Sequence, residues 1–201
     1  MIATGFAAGA VPFSGLAARL VAGVDLRREG SGTVSGTGLY EVAGFGPLAL
    51  AGSLDVAKGA LAPLLAGPRR RPVLAALSAG AAVAGHNWSP LLGGAGGRGL
   101  SPALGATLAC APEGTVVLGA AMGAGRLLHQ TALVSLLGIG ALFPVLWRRR
   151  GLPGLVLAAS LALPMVGKRL AGNGPLPTGA ARARALRSRL LFDRDPTDAE
   201  A

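Results

Sequence analysis

Hydrophobic residues in this chain come in long unbroken runs, not in the alternating or striped patterns of a water-soluble fold. Residues 2–24 form the first run, long enough to cross a bilayer, which takes about 20 residues. A polar, glycine-rich stretch over 25–44 follows, then a second run over 46–67 that ends at Pro68-Arg69-Arg70-Arg71-Pro72. Residues 72–85 are apolar, 86–101 are again polar and glycine-rich, and 102–125 are apolar but interrupted by Pro112-Glu113-Gly114. That interruption predicts two short helices in place of one. A run over 127–147 closes on Arg148-Arg149-Arg150, and a short last run covers 152–166.

The pattern predicts an all-α, polytopic membrane helix bundle of about six or seven short transmembrane helices joined by Gly-rich polar loops. No Lys or Arg precedes the first run, so it reads as an uncleaved helix, with Arg19 reaching back to the interface. Residues 1–170 form the membrane domain on this reading. Residues 171–201 form an exposed C-terminal tail with one amphipathic surface helix.

Composition sharpens the picture. Charged residues make up 14% of the chain, against roughly 25% in a soluble domain, too few to cover a water-soluble surface. The 33 glycines suit close helix–helix approach in lipid. A net charge of +10 raises nucleic acid as a partner, but no aromatic–basic interleaving accompanies it. Arginines beside apolar runs instead point to membrane lipids and to orientation. Cys110 is the single cysteine, which excludes an intramolecular disulfide. His86 and His129 lack the partners of a zinc set, so neither metal nor cofactor is expected.

Three polar segments carry the candidate chemistry. In the first, Gly30, Ser31, Gly32, Thr33, Ser35, Thr37 and Gly38 combine free backbone with hydroxyls, which suits an anion or equally a flexible linker. In the second, Asp55 and Lys58 stand three apart inside an apolar helix. They can meet on one face, as a structural ion pair or as a carboxylate positioning a phosphate-binding lysine. In the third, His86, Trp88, Gly93, Gly94, Gly96, Gly97, Arg98 and Gly99 lead to a helix start marked by Ser101 and Pro102. There a guanidinium and a helix dipole would converge on a phosphate.

Taken together, these segments resemble the bacterial acyl-phosphate-dependent glycerol-3-phosphate acyltransferase family, over about residues 9–105. Val11-Pro12-Phe13 and the stretch from Val24 to Gly32 are similar to its opening. Leu54-Asp55-Val56-Ala57-Lys58-Gly59 is similar to its second motif, and Gly85-His86 through Gly96-Gly97-Arg98-Gly99 to its third. Arg126 is similar in place to a later basic residue.

The chain departs from the family at several positions. Thr33 and Gly38 replace asparagines, Glu41 an arginine, Arg98 a lysine, Pro102 a threonine and Leu186 an asparagine, and Ala95 stands where a basic residue is common. Phosphate binding through Lys58, Arg98 and the glycine loops survives these changes, while the choice of acceptor stays open.

The resemblance implies transfer of a fatty acyl group from acyl-phosphate to glycerol-3-phosphate at a bacterial inner or plasma membrane. It implies Ser31, His86 and Arg98 as catalytic residues. Gly30, Gly32, Thr33, Asp55, Lys58, Gly96, Gly97 and Gly99 would bind substrate. An activated acyl donor needs no serine or cysteine nucleophile. A paralogue with another phosphorylated acceptor, a non-catalytic member and an unrelated transporter or scaffold remain alternatives. The polar segments and the tail are expected on one cytoplasmic face, which favours seven crossings with a break near Pro112.

Overall fold

The computed structural model describes residues 1–30, 32–172 and 174–195. The described residues form helices α1 (Ile2–Ala10), α2 (Phe13–Ala22), α3 (Gly36–Ala43), α4 (Phe45–Ala66) and α5 (Pro72–Asn87). Further along come α6 (Leu100–Cys110), α7 (Pro112–Leu127), α8 (Thr131–Arg150), α9 (Leu152–Ala171) and α10 (Ala180–Phe192). No strand occurs among them. By length and composition four stretches can cross a membrane: Ile2–Ala22, Phe45–Ala66, Thr131–Arg150 and Leu152–Ala171. The chain is a multi-pass, all-helical membrane protein, and the shorter α5, α6 and α7 pack among these stretches.

Proline explains most of the breaks. Pro12 has no N–H to continue α1, so the first apolar run is two helices meeting at Val11–Pro12, not the single helix its hydropathy predicts. Pro112 sits at the first position of α7 and Ala111 caps it, so the break expected there is present. The last run extends past the predicted Val166 to Ala171, because Lys168 and Arg169 continue α9. The segment 25–44, read as loop, contains α3, started by Ser35 accepting the Gly38 N–H at 3.2 Å.

The main core joins α5 to α9 through Val83, Leu118, Leu142, Leu146, Leu161 and Met165. A second apolar cluster of Ala18, Leu26, Val34, Leu39 and Leu92 seals the space under the first polar segment. Helices α4 and α6 cross at backbone contact. A Cβ on Gly59 would strike Pro102, and one on Gly105 would strike the Val56 carbonyl. Small residues are what allow that approach in a bilayer.

The polar loops, the start of α8 and the end of α9 lie together at one end of the bundle. The Gly67–Arg71 turn, Pro112 and Arg150 lie together at the other. The described residues of α10 pack back at the first end, where Arg189 donates to the carbonyls of Leu170, Ala171, Gly174 and Pro175.

Candidate functional site

The site grows out of the break at Val11–Pro12. Ending α1 there leaves its last carbonyls without intrahelical partners, and in a membrane such groups must be satisfied by protein. Ser89 Oγ donates to the Ala10 carbonyl at 2.5 Å, and Lys58 Nζ donates to the Val11 carbonyl at 2.6 Å. Both side chains are buried. Lys58 thus ties the chain break to the middle of α4, and Ser89 ties it to the second polar loop.

Lys58 is also paired with Asp55 at 2.6 Å, so the three-residue spacing does put both on one face. Asp55 accepts a hydrogen bond from Ser14 Oγ at 3.1 Å, and His86 Nδ1 stands 3.8 Å from its other oxygen. The latter separation is long for a hydrogen bond. Phe13 lies under the ammonium, 5.6 Å from ring centre to Nζ. A cavity of about 10 Å³ sits between Phe13, Ser14, Asp55, His86, Gly96 and Gly97, room for about one water.

The second polar loop closes over this cavity. The Gly97 N–H donates to the His86 carbonyl at 3.3 Å, and the Val34 N–H to the Gly96 carbonyl at 3.2 Å, which joins the first polar segment to the second. A Cβ on Gly97 would collide with His86 Nε2, and one on Gly96 with the His86 and Asn87 carbonyls. Glycine here buys contact distance to the imidazole. It does not present a row of free donors, because the N–H groups of Gly93, Gly94, Ala95 and Gly97 are all taken by carbonyls of residues 86–92.

Arg98 lies in a separate cluster. Its Nε is 2.7 Å and 2.9 Å from the two carboxylate oxygens of Asp193, and its Nη1 is 3.3 Å from the Lys168 carbonyl. Lys168 Nζ donates to the Gly94 carbonyl at 3.3 Å and lies over the Trp88 ring. Arg169, beside it, is held by Ser135 at 2.6 Å and by the Ala132 carbonyl at 2.8 Å. Three cations therefore gather here, and among the described ion pairs it is Arg98 that holds a carboxylate, that of Asp193. The αL residue Gly99, at φ +80°, starts α6 in place of the expected Ser101.

The first polar segment is anchored by Asp25. It accepts from Arg27 at 2.6 Å and from Arg19 at 2.9 Å, while Arg27 also reaches the Leu92 carbonyl. The Arg27 guanidinium holds the Asp25 carboxyl far below the usual carboxylate range. Thr33 is buried, and Gly30 and Gly32 adopt the left-handed turn that glycine favours. Ser31 lies outside the described residues. Arg126 is exposed and forms no ion pair among the described residues.

Sequence reading missed Ser14, Ser89, Lys168 and Arg169. Ser14 is a hydroxyl in an apolar run with no motif to flag it, and Ser89 stands inside the third polar segment with no role assigned to it. Lys168 and Arg169 look like the start of a tail because a hydropathy run ends at its first charges. Continued helical register into 171 would have placed them on α9.

Fold and site together define a polytopic membrane helix bundle with a buried, charged centre under glycine loops. Residues 1–171 match the family model described as Glycerol-3-phosphate acyltransferase. The chain is 34% identical to glycerol-3-phosphate acyltransferase 4 of Dehalococcoides mccartyi, covering 97% of this chain and 88% of that protein. To the glycerol-3-phosphate acyltransferase of a Synechococcus strain it is 36% identical, over 80% of this chain and 81% of that one. A match to glycerol-3-phosphate acyltransferase 2 of Moorella thermoacetica, 41% identical, spans 52% of this chain and about half, 54%, of that relative. The fold matches a crystal structure of PlsY (YgiH), an integral membrane glycerol 3-phosphate acyltransferase, in its glycerol 3-phosphate form. The TM-score is 0.77 at 24% identity, covering 97% of this chain and 92% of that one. The chain belongs to the glycerol-3-phosphate acyltransferase family.

Proposed function

We propose that the protein transfers a fatty acyl group from acyl-phosphate to the sn-1 hydroxyl of glycerol-3-phosphate, giving lysophosphatidate and inorganic phosphate. Family membership supports the acceptor and the acyl transfer. The observation that carries the mechanism is the buried Ser14–Asp55–Lys58 group with His86 beside it, capped by Gly97. It offers a cation, an imidazole and close backbone without needing a nucleophile from the protein.

In the reaction the acceptor oxygen attacks the acyl carbonyl, the carbonyl–phosphate C–O bond breaks, and phosphate leaves with that electron pair. The hydroxyl proton passes to His86 or to a phosphate oxygen of the substrate. Asp55 orients His86, closing the 3.8 Å separation as substrate enters, since such contacts commonly tighten only in the complex. Lys58 stabilises the tetrahedral oxyanion. Gly96 and Gly97 let substrate approach the imidazole.

Arg98, with Gly99 freeing the start of α6, grips a substrate phosphate in exchange for Asp193. Ser31, Gly30, Gly32 and Thr33 of the first segment complete the anion seat. Residues 1–170 form the catalytic body, and residues 171–201 an appended tail. The site faces the cytoplasm of a bacterial cell. By the order of the helices, Arg27, Arg28, Arg98, Arg126, Lys168, Arg169 and the α10 arginines stand at its end, against Arg69–Arg71 and Arg148–Arg150 at the other among the described residues.

Purified protein supplied with glycerol-3-phosphate and either acyl-phosphate or the corresponding acyl-thioester tests the donor. Turnover with acyl-phosphate alone is expected. Equal or preferred use of the thioester would overturn the donor assignment.

A further inference from the structure

The end of the bundle remote from Lys58 holds a second opening. A cleft of about 710 Å³ runs between the α4–α5 turn, the α6–α7 break and the end of α8. Leu64, Leu108 and Pro112 give it apolar walls, and Arg69, Arg70 and Arg150 edge it. Leu64 and Leu108 are each 57% exposed, so the cleft opens sideways onto lipid.

The backbone that carries the charge at its edge is fixed in place. The Gly67 carbonyl accepts the N–H groups of both Arg70 and Arg71, at 3.0 and 2.8 Å, which closes the turn and presents adjacent guanidiniums. Arg150 binds Glu113 through Nε at 2.6 Å and Nη2 at 3.0 Å. A guanidinium has five N–H donors, so Arg150 keeps others for a ligand. Between Asp55 and Asp193 the sequence holds no acidic residue but Glu113. Arg69 and Arg70 form no ion pair among the described residues.

We infer that this cleft binds an anionic phospholipid, its phosphodiester on Arg69, Arg70 and Arg150 and an acyl chain along Leu64 and Leu108. Free phosphate shares the headgroup chemistry but leaves the apolar walls uncovered. A zwitterionic lipid covers the walls but brings no net negative charge to the arginines. The volume lies within the range of small-molecule sites, about 300–1,000 Å³, and exceeds what an inorganic ion fills.

The sole thiol reports on occupancy, because the half-buried Cys110 lines the cleft. The experiment measures the rate at which a small thiol reagent modifies Cys110 in the full-length protein in detergent. Additions are phosphatidylglycerol, phosphatidylcholine, glycerophosphoglycerol or inorganic phosphate. Phosphatidylglycerol at about ten times its Kd should slow the reaction about tenfold, and the other three should not. The Arg69→Gln/Arg70→Gln protein should lose that protection while retaining wild-type acyltransfer, and Arg69→Lys/Arg70→Lys should recover it in part. Equal protection by phosphatidylcholine would reduce the cleft to an apolar crevice and overturn the assignment. Protection by glycerophosphoglycerol or phosphate alone would make it a soluble-anion site and overturn the lipid.

Discussion

Asp193, the residue that ends α10, places both carboxylate oxygens within 2.9 Å of Arg98 Nε, across ninety-five residues of chain. Arg98 was expected to hold a substrate phosphate, and the carboxylate occupies the position a phosphate would take. Exchanging one charge-assisted contact for another makes Asp193 a competitor. Asp193→Asn should lower the KM for glycerol-3-phosphate about fivefold, corresponding to about 1 kcal/mol. Arg98→Ala should lose about 1.5–3 kcal/mol of transition-state binding, tenfold to a hundredfold in kcat/KM, and Arg98→Lys should retain part of it. Kinetics with both substrates varied check these outcomes. Unchanged kinetics in Arg98→Ala would make the pair a tail latch and nothing more.

Lys58 has two duties that one substitution confounds. Lys58→Met leaves Asp55 buried without its cation, a loss of about 3–5 kcal/mol for a broken buried pair, and it leaves the Val11 carbonyl with the Phe13 N–H as its donor. Asp55→Asn/Lys58→Met removes both charges and should recover insertion and thermal stability, but not turnover. Measuring stability and activity on the same preparations separates the duties. Near-normal turnover in the double variant would make the pair structural.

Gly97 and Gly59 should fail in different ways. A Cβ at Gly97 meets His86 Nε2, and one at Gly59 meets the Pro102 backbone. Gly97→Ala should insert normally and lose about a hundredfold in kcat, the scale of an ångström-size misplacement. Gly59→Ala should lower the melting temperature by forcing α4 and α6 apart. A Gly97→Ala protein with full kcat would remove His86 from the chemistry.

Legibility in the sequence followed physical range. The Pro112 break, the Asp55–Lys58 pair and the two glycine loops are local, so proline chemistry and helical spacing reveal them. The Ser89 and Lys58 caps on α1 join residues 79 and 47 positions apart, and no local pattern encodes them. The Arg98–Asp193 contact depends on where the segment after α9 turns back, and its composition, basic then acidic, reads only as an exposed tail. The third segment was readable as a glycine loop running into a helix start. That its donors close on its own carbonyls was not, because glycine frees the backbone without saying which acceptors it will meet.

Sidedness follows from the same contact. Since Asp193 meets Arg98, the loop before α6 and the end of α10 must share a membrane face. In a Cys110→Ser background, Leu91→Cys and Arg187→Cys should react with an impermeant thiol reagent from the same side, and Arg70→Cys from the other. Labelling of Leu91→Cys and Arg187→Cys from opposite sides would contradict the arrangement.

The most direct measurement follows radiolabelled glycerol-3-phosphate into lysophosphatidate with purified protein and acyl-phosphate, alongside His86→Ala. Wild-type protein should form labelled product with one phosphate released per acyl group transferred. His86→Ala should be equally well inserted and slower by about two to four orders of magnitude, the range of a lost general base. A His86→Ala protein that matches wild type would leave the substrate phosphate as the base and take His86 out of the chemistry, and folded wild-type protein that forms no product would contradict catalysis at this buried centre.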